Sequence, residues 1–430
     1  MAGGLVQLLA WGSQNIKLNG NPSITFFKKV RKAHSNFSME SIRVNLSRTD
    51  ANIYTNTIFK AKLERHGDLV QQVYFVFELP DILPNNKGFR WIENLGEAII
   101  DNYYITVGGS LIDRQYGEYL HLMNMLTLEN AKREIYNKMI GNIEELVYPD
   151  KEKPYPTTSP AIRSRKIYVP LQFWFNKDSG TSLPLICLQY SESEITIELR
   201  PLFNMYKLFN RAPSTNAMDE MMDKFIYNEN ARYLISDTVM DIKAYLEVNY
   251  YFVDNKEREF IAFNSHEYLI EQTFRIDRYN LAANNMFELV LQNPVKEFIW
   301  VFKRNDLNLR NNWFDFTDDG AHILKSAKVI FNGIDRIDEK DAFYFNYIQP
   351  YQHHTSNMKD GIYVYSFSIS PEDMTQPSGS CNMSRINRVQ VMMNLINPII
   401  STYKYDMTMY IVNYNFLKIS SGLAGVVFSN

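Results

Sequence analysis

The chain has 430 residues, of which 45% are hydrophobic and 22% charged, the balance of a globular protein long enough to build two cores. A formal net charge of −3 excludes a chain-wide electrostatic grip on nucleic acid, and no apolar run approaches the roughly 18–20 residues that span a bilayer. Counts of 28 Tyr and 27 Phe favour strands over helices.

In chain order, residues 1–35 read as an arm. Its opening MAGGLVQLLAWGSQ has a short apolar stretch but no basic region before it, which argues against a cleaved signal peptide and for a soluble chain made in the cytosol. Asn19-Gly20-Asn21-Pro22 is a polar turn, and Lys28, Lys29, Arg31 and Lys32 make a close basic group. Such a group serves either as a solvated segment or as a contact for an acidic partner or a membrane surface, and specific nucleic-acid readout is the least suited reading.

Strand patterns follow in FSMESIRVNLS (37–47) and LVQQVYFVFELP (69–80), with His66-Gly67-Asp68 as a turn between them. AIIDNYYITV (98–107) is another strand, reversed at Gly108-Gly109. Tyr119, Leu122, Met123 and Leu126 then stand at helical spacing, and Leu128, Ala131, Ile135 and Met139 are expected to continue the stripe up to a stop at Gly141. This stripe reads as packing rather than a cofactor box. DKEKPYPTTSPAIRSR (150–165) is a Pro-rich loop, and the polar stretch around NRAPSTNAMDEMMDK (210–224) is a second surface excursion.

A boundary falls near 255–265, after which HEYLIEQTFRI (266–276) opens a new series of short strands. Ile362 to Leu395 contains two of them. In the first, Tyr363, Tyr365, Phe367 and Ile369 face one way, while Ile362 and Val364 suggest that its start is covered on both sides. Pro371 and Pro377-Ser378-Gly379 make the turn, and Val389, Val391, Met393 and Leu395 form one face of the second.

This design occurs twice. Phe173, Cys187, Ile195, Ile197 and Leu199 stand 194 residues before Phe367, Cys381, Val389, Val391 and Met393. Gly109 stands 224 residues before Gly333, and VNYYF (248–252) stands 164 before VNYNF (412–416). Three ordered echoes with a falling offset imply a duplicated domain whose first copy carries two extra segments of about 30 residues. The expected architecture is all-β. It has an arm at 1–35, a first jelly roll at 36–260 with two long insertions, and a second jelly roll at 261–430, each an eight-stranded antiparallel sandwich.

The sequence offers no catalytic, cofactor-binding or metal-binding residues. His34, His66, His121, His266, His322, His353 and His354 form none of the H-x-H, H-E-x-x-H or H-x₃₋₅-H spacings that bind metals. His353 and His354, if on a strand, would face opposite sides. Cys187 and Cys381 occupy equivalent places in the two copies and read as free packing thiols in a reducing compartment, not as a disulfide or a nucleophile. Asp315, Asp318 and Asp319 lack the spacing of a calcium loop and are expected to be a solvated turn. The glycosylation triplets at Asn36, Asn45 and Asn382 are weak signals.

Along the whole chain, MAGGL, GNPSITFF, GDLV, IDRQYGEYL, LPLICLQY, HEYLIEQ, NPVKEFIWV, YFNYIQPYQHHT and QPSGSCNMSRI resemble, in order, the major capsid proteins of nucleocytoplasmic large DNA viruses, and the algal or chlorella-virus type in particular. The resemblance implies a tandem double jelly roll, three copies of which form a pseudo-hexagonal capsomer. Such capsomers tile an icosahedral shell over an internal membrane, assembled in the host cytoplasm. It further implies contacts with neighbouring capsomers and minor capsid proteins, an inward-facing basic arm touching the membrane surface, no cofactor, no specific nucleic acid and no enzymatic activity. The excursion NRAPSTNAMDEMMDKFIYNENARYLISDTV (210–239) departs most from the family pattern. An aromatic-rich sandwich also suits a carbohydrate-binding protein, which would be a monomer or dimer with glycan affinity.

Overall fold

The computed structural model describes residues 3–10, 12, 20–29, 31–48, 56–82, 87–149, 162–210, 242–307, 311–356 and 358–428. They fall into two units, 1–36 and 37–430. In the first, a short helix spans Gly3–Leu9, and the basic residues Lys28, Lys29, Arg31 and Lys32 lie in irregular backbone. No helix among the described residues is long and apolar enough to cross a membrane.

The alternating runs of the second unit become strands because period-two patterning lets one face pack while the other meets solvent or a neighbour. Eight strands build the first sandwich: β1 (Phe37–Asn45), β2 (Thr57–Lys62), β3 (Leu69–Leu79), β4 (Ile100–Val107), β5 (Ser110–Tyr116), β6 (Arg165–Pro170), β7 (Ser193–Leu199) and β8 (Ala244–Val253). They form two antiparallel sheets, ordered β1-β8-β3-β6 and β2-β7-β4-β5. Eight more build the second: β9 (His266–Leu281), β10 (Asn284–Leu289), β11 (Pro294–Arg304), β12 (Leu324–Phe331), β13 (Ile334–Asp341), β14 (Ile362–Ser366), β15 (Val389–Leu395) and β16 (Tyr405–Ser420). Their sheets are ordered β9-β16-β11-β14 and β10-β15-β12-β13, the first pattern with eight added to every label. Short segments extend some sheets, among them Leu183–Pro184 on β3 and Cys381–Asn382 on β11.

Each pair of sheets closes over its own core. Phe75, Phe77, Tyr103, Ile195 and Leu246 are fully buried in the first, and Phe298, Trp300, Tyr363, Val391 and Met409 are buried in the second. The β4–β5 and β12–β13 hairpins are also equivalent. Gly108 and Gly109 have φ of 58° and 80°, and Asn332 and Gly333 have 49° and 83°, the left-handed pair that matches a tight hairpin to strand twist.

Three expectations need correction. The VNY echoes are one residue out of step: Val248 packs in the first core, whereas Val412 faces outward on the second sandwich. A bulge shared by β3 and β11 shows why, since it aligns VQQVYFVF (70–77) with VKEFIWVF (295–302) and so Val248 with Ile411. The strand expected over Ile362–Ile369 stops at Ser366, whose hydroxyl bonds the Ser368 carbonyl at 2.8 Å and its N–H at 3.1 Å, leaving Ile369 74% exposed. The helical stripe also breaks. Helix α1 (Gly117–Thr127) buries Tyr119, Leu122, Met123 and Leu126, but Leu128 is extended, and helix α2 (Asn130–Ile140) restarts with a new phase. It buries Tyr136 and Ile140 instead of Ala131 and Ile135, before Gly141 stops it at φ 80°. Helix α3 (Asn255–Phe263) links β8 to β9. Most of the Pro-rich loop and the 210–239 excursion lie outside the described residues.

Candidate functional site

The most extensively built feature outside the two cores is the seam where the sandwiches meet. Helix α1 lays Tyr119, Leu122, Met123 and Leu126 on the outer face of the β9-β16-β11-β14 sheet. There it meets Ile299 and Val301 of β11, Ile362 and Val364 of β14, and Tyr410 and Val412 of β16, all fully buried. This is the double coverage of Ile362 and Val364 expected from the sequence. Phe316 joins the same cluster.

Polar contacts flank this apolar centre. Gln272 Nε2 donates to the Ile112 carbonyl at 2.5 Å, and the Thr273 N–H donates to Asp113 Oδ1 at 3.3 Å, tying β9 to β5. Burial pushes Asp113 up to about 7, although bonds from Gln115 and Thr273 oppose the rise. Lys177 Nζ meets Glu271 Oε2 at 2.8 Å, and Lys296 pairs with the other oxygen of the same carboxylate. Burial alone would raise Glu271, but the two ammonium groups hold it down at about 2. Glu118 at the start of α1 pairs with Lys303 of β11 and stays below its usual range despite burial.

Histidine placement departs from the strand picture. Tyr344–Ile348 and Gln349–His353 are consecutive helical turns, and His354 caps them. The His354 ring is enclosed, with Nε2 3.1 Å from Glu297 and Nδ1 3.1 Å from Glu372. Burial pushes it down, but the two carboxylates more than offset this and carry it up to about 9. His121 is also buried, its Nδ1 2.6 Å from Glu97 and its ring stacked on Phe314 at 4.0 Å. Asn124 and Tyr136 donate to the same Glu97 carboxylate at 2.8 and 2.6 Å, so this is a closed polar knot holding α1 and α2, with no room for a substrate.

The acidic cluster is a solvated turn only at Asp319, which is exposed at φ 49°. Asp318 is buried and accepts from Arg304 Nη1 at 2.8 Å, the Tyr405 hydroxyl at 2.7 Å and the Ile399 N–H at 3.0 Å. Asp315 holds the adjacent turn by bonding Thr317 and Asn312. Cys187 and Cys381 are both free thiols. Burial raises the first to about 11, and its Sγ donates to the Ile261 carbonyl at 3.0 Å. Asn36, Asn45 and Asn382 are exposed.

A cleft of about 300 Å³ opens beside the seam, lined by Glu118, Arg200, Arg275, Asp277, Lys303 and Arg304 among others. Each of its four cations already faces a carboxylate: Arg200 with Asp101, Arg275 with Asp277, Lys303 with Glu118, and Arg304 with Asp306 and Asp318. Among the described residues no group of three or more His, Cys, Asp or Glu side chains is placed to hold a metal. The missed residues, Lys177, Glu271, Lys296 and Glu297, did leave one trace in the sequence. Lys296-Glu297 interrupts the otherwise apolar NPVKEFIWV run, where charge in a central strand calls for a partner.

The comparisons match this architecture. Residues 25–254 match the major capsid protein N-terminus family, and residues 257–425 match the large eukaryotic DNA virus major capsid protein family. The chain is 32% identical to the major capsid protein of Phaeocystis pouchetii virus and 33% identical to that of Pyramimonas orientalis virus, over the full length of both partners in each case. The major capsid protein of Paramecium bursaria Chlorella virus 1 is 29% identical over both full lengths. Among solved structures, the PBCV-1 virus capsid model superposes with a TM-score of 0.74 at 25% identity, covering 94% of this chain and all of that one. The Faustovirus major capsid protein shares the fold at a TM-score of 0.72 and 13% identity, covering 97% of this chain and 96% of that one. Two like sandwiches in tandem, joined by a buried seam and matched end to end by these relatives, place the chain in the major capsid protein family of the nucleocytoplasmic large DNA viruses, self-assembling structural proteins of the virion shell and not enzymes.

Proposed function

We propose that three copies of this chain form a capsomer with six sandwiches in a pseudo-hexagonal ring, and that these capsomers tile an icosahedral shell over an internal membrane. The observation that carries this reading is the duplication itself. Two sandwiches of identical strand order in one chain turn a threefold assembly into a nearly sixfold tile. In this reading residues 1–35 are the arm, 36–260 the first jelly roll and 261–430 the second.

The arm supplies Lys28, Lys29, Arg31 and Lys32 to the inner side of the shell, where they meet minor capsid proteins or an anionic membrane surface, with assembly in the host cytoplasm. Light scattering on the purified chain tests the trimer. A species of about 151 kDa, three times 50.4 kDa, supports it, and a monomer at every accessible concentration contradicts it. Deleting residues 1–32 leaves the trimer intact and impairs shell assembly; normal particles from the deletion would refute the role given to the arm.

A further inference from the structure

The two sandwiches have the same topology but not the same surroundings. The outer face of β9-β16-β11-β14 is buried under α1 and β5 of the first sandwich. The matching face of the first sandwich, on β1-β8-β3-β6, is half open. Register through the shared bulge places Tyr74 where the second sandwich has Ile299, Asn249 where it has Val412, and Tyr168 where it has Ile362. The three residues of the second sandwich are fully buried, whereas Tyr74, Asn249 and Tyr168 are only partly covered. At the edge of this face Phe37 and Met39 on β1 are 50% and 65% exposed, and Met39 stands directly opposite Tyr251 of β8.

The complementary half is unequal in the same sense. Strand β5 buries Ile112, Asp113 and Gln115, and α1 after it is almost wholly buried. Strand β13 has no fully buried residue, and the helical turns that follow it carry Phe343 at 56% exposure and Tyr351 at 90%. Each chain therefore contains one docked and one undocked copy of both halves: a sheet face, and the strand-plus-helix that covers such a face.

We infer that the β1-β8-β3-β6 face of one chain receives β13 and the Tyr344–His353 helical turns of a second copy of this chain, repeating between chains the seam found within each one. The inference rests on the trimeric reading above and assigns its surfaces. Composition supports the assignment. The internal seam is permanent and has an apolar centre, whereas the open face offers Tyr74, Tyr168, Tyr245, Tyr251, Met39 and Arg43, amphipathic groups that tolerate water before assembly and suit a protein interface afterwards. Arg43 and Arg275 occupy matching positions. Arg275 lies over Tyr116 of the other sandwich at 5.0 Å, while Arg43 rests over Tyr245 of its own sheet at 4.2 Å. Because face and helix differ, the contact is heterologous, and three such contacts close a ring.

The test uses two full-length variants at exposed residues, Met39→Glu on the face and Tyr351→Glu on the helix, with mass measured by light scattering. Each variant drops threefold, from about 151 kDa to 50.4 kDa, with an unchanged circular dichroism spectrum. Mixed together, they recover one intact contact and give a heterodimer of about 101 kDa that cannot close. Val290→Glu, at an 89% exposed turn residue, stays trimeric. If the unmodified chain is trimeric but either variant remains so, or if Val290→Glu also dissociates, the surface assignment is overturned and the trimer stands. An unmodified chain that is always monomeric overturns both.

Discussion

Replacing Leu122 by Ala probes the seam directly. The side chain is fully buried among Ile299, Val301, Ile362, Val364, Tyr410 and Val412, which belong to the other sandwich. The change removes three carbon groups, a transfer loss of about 2.4 kcal/mol at ~0.8 kcal/mol each. The cavity left between two rigid sheets adds to this, so the total should reach about 3 kcal/mol, within the usual range of about 2–5 kcal/mol for buried Leu→Ala. Equilibrium urea unfolding, followed by circular dichroism at one fixed protein concentration, measures it as a lower midpoint with an unchanged slope. Ile135→Ala is the matched comparison. Ile135 falls on the helical stripe expected from the sequence but is 62% exposed, so its replacement should cost no more than about 0.5 kcal/mol. A Leu122→Ala cost below about 1 kcal/mol, or equal costs at the two sites, would refute the packing of α1 on the second sandwich.

Other outcomes follow from single groups. Gly117→Ala should cost several kcal/mol or prevent folding, because a Cβ there would lie 2.2 Å from the Ile100 carbonyl oxygen and 2.3 Å from that of Glu97; wild-type melting of the variant would contradict this. Asp113 is raised from 3.8 to about 7 by burial, so the folded chain holds a proton that the unfolded chain has lost, and this contribution to stability fades as pH rises through about 7. Urea midpoints between pH 6 and 8 should therefore depend less on pH in Asp113→Asn, and an unchanged slope would exclude Asp113 as the cause. His354 is raised from 6.5 to about 9 by Glu297 and Glu372 despite its burial, so its contribution is complete below about pH 6.5 and is lost as pH rises through about 9. His354→Gln should then destabilise at pH 6 and have little effect near pH 10; equal effects at both values would contradict the charged state.

The duplicated all-β plan was legible in the sequence because each sandwich needs the same alternation of core residues. Phe173 with Phe367 and Gly109 with Gly333 mark structurally equivalent points. VNYYF and VNYNF misled, since a short identical string can slip by one residue and invert every side chain, and only the bulge in β3 and β11 fixes the register. The α1 stripe was readable through helical spacing. The phase reset at Leu128 was not, because one extended residue leaves no periodic trace.

The site was the least visible part. Asp318 looks like any acidic turn residue until Arg304 and Tyr405 are brought to it from distant strands. Lys177 and Glu271 become partners only when two sandwiches meet. His353 and His354 do not lie on a strand, because Pro350 stands in the first turn of a helix that they end.

Three chains of two sandwiches each should make one nearly sixfold tile. Class averages of the purified oligomer by electron cryomicroscopy test it most directly. The expected particle is a closed ring of six similar lobes, alternating in kind, with threefold symmetry. A three-lobed particle, an open chain or separate two-lobed monomers would contradict it.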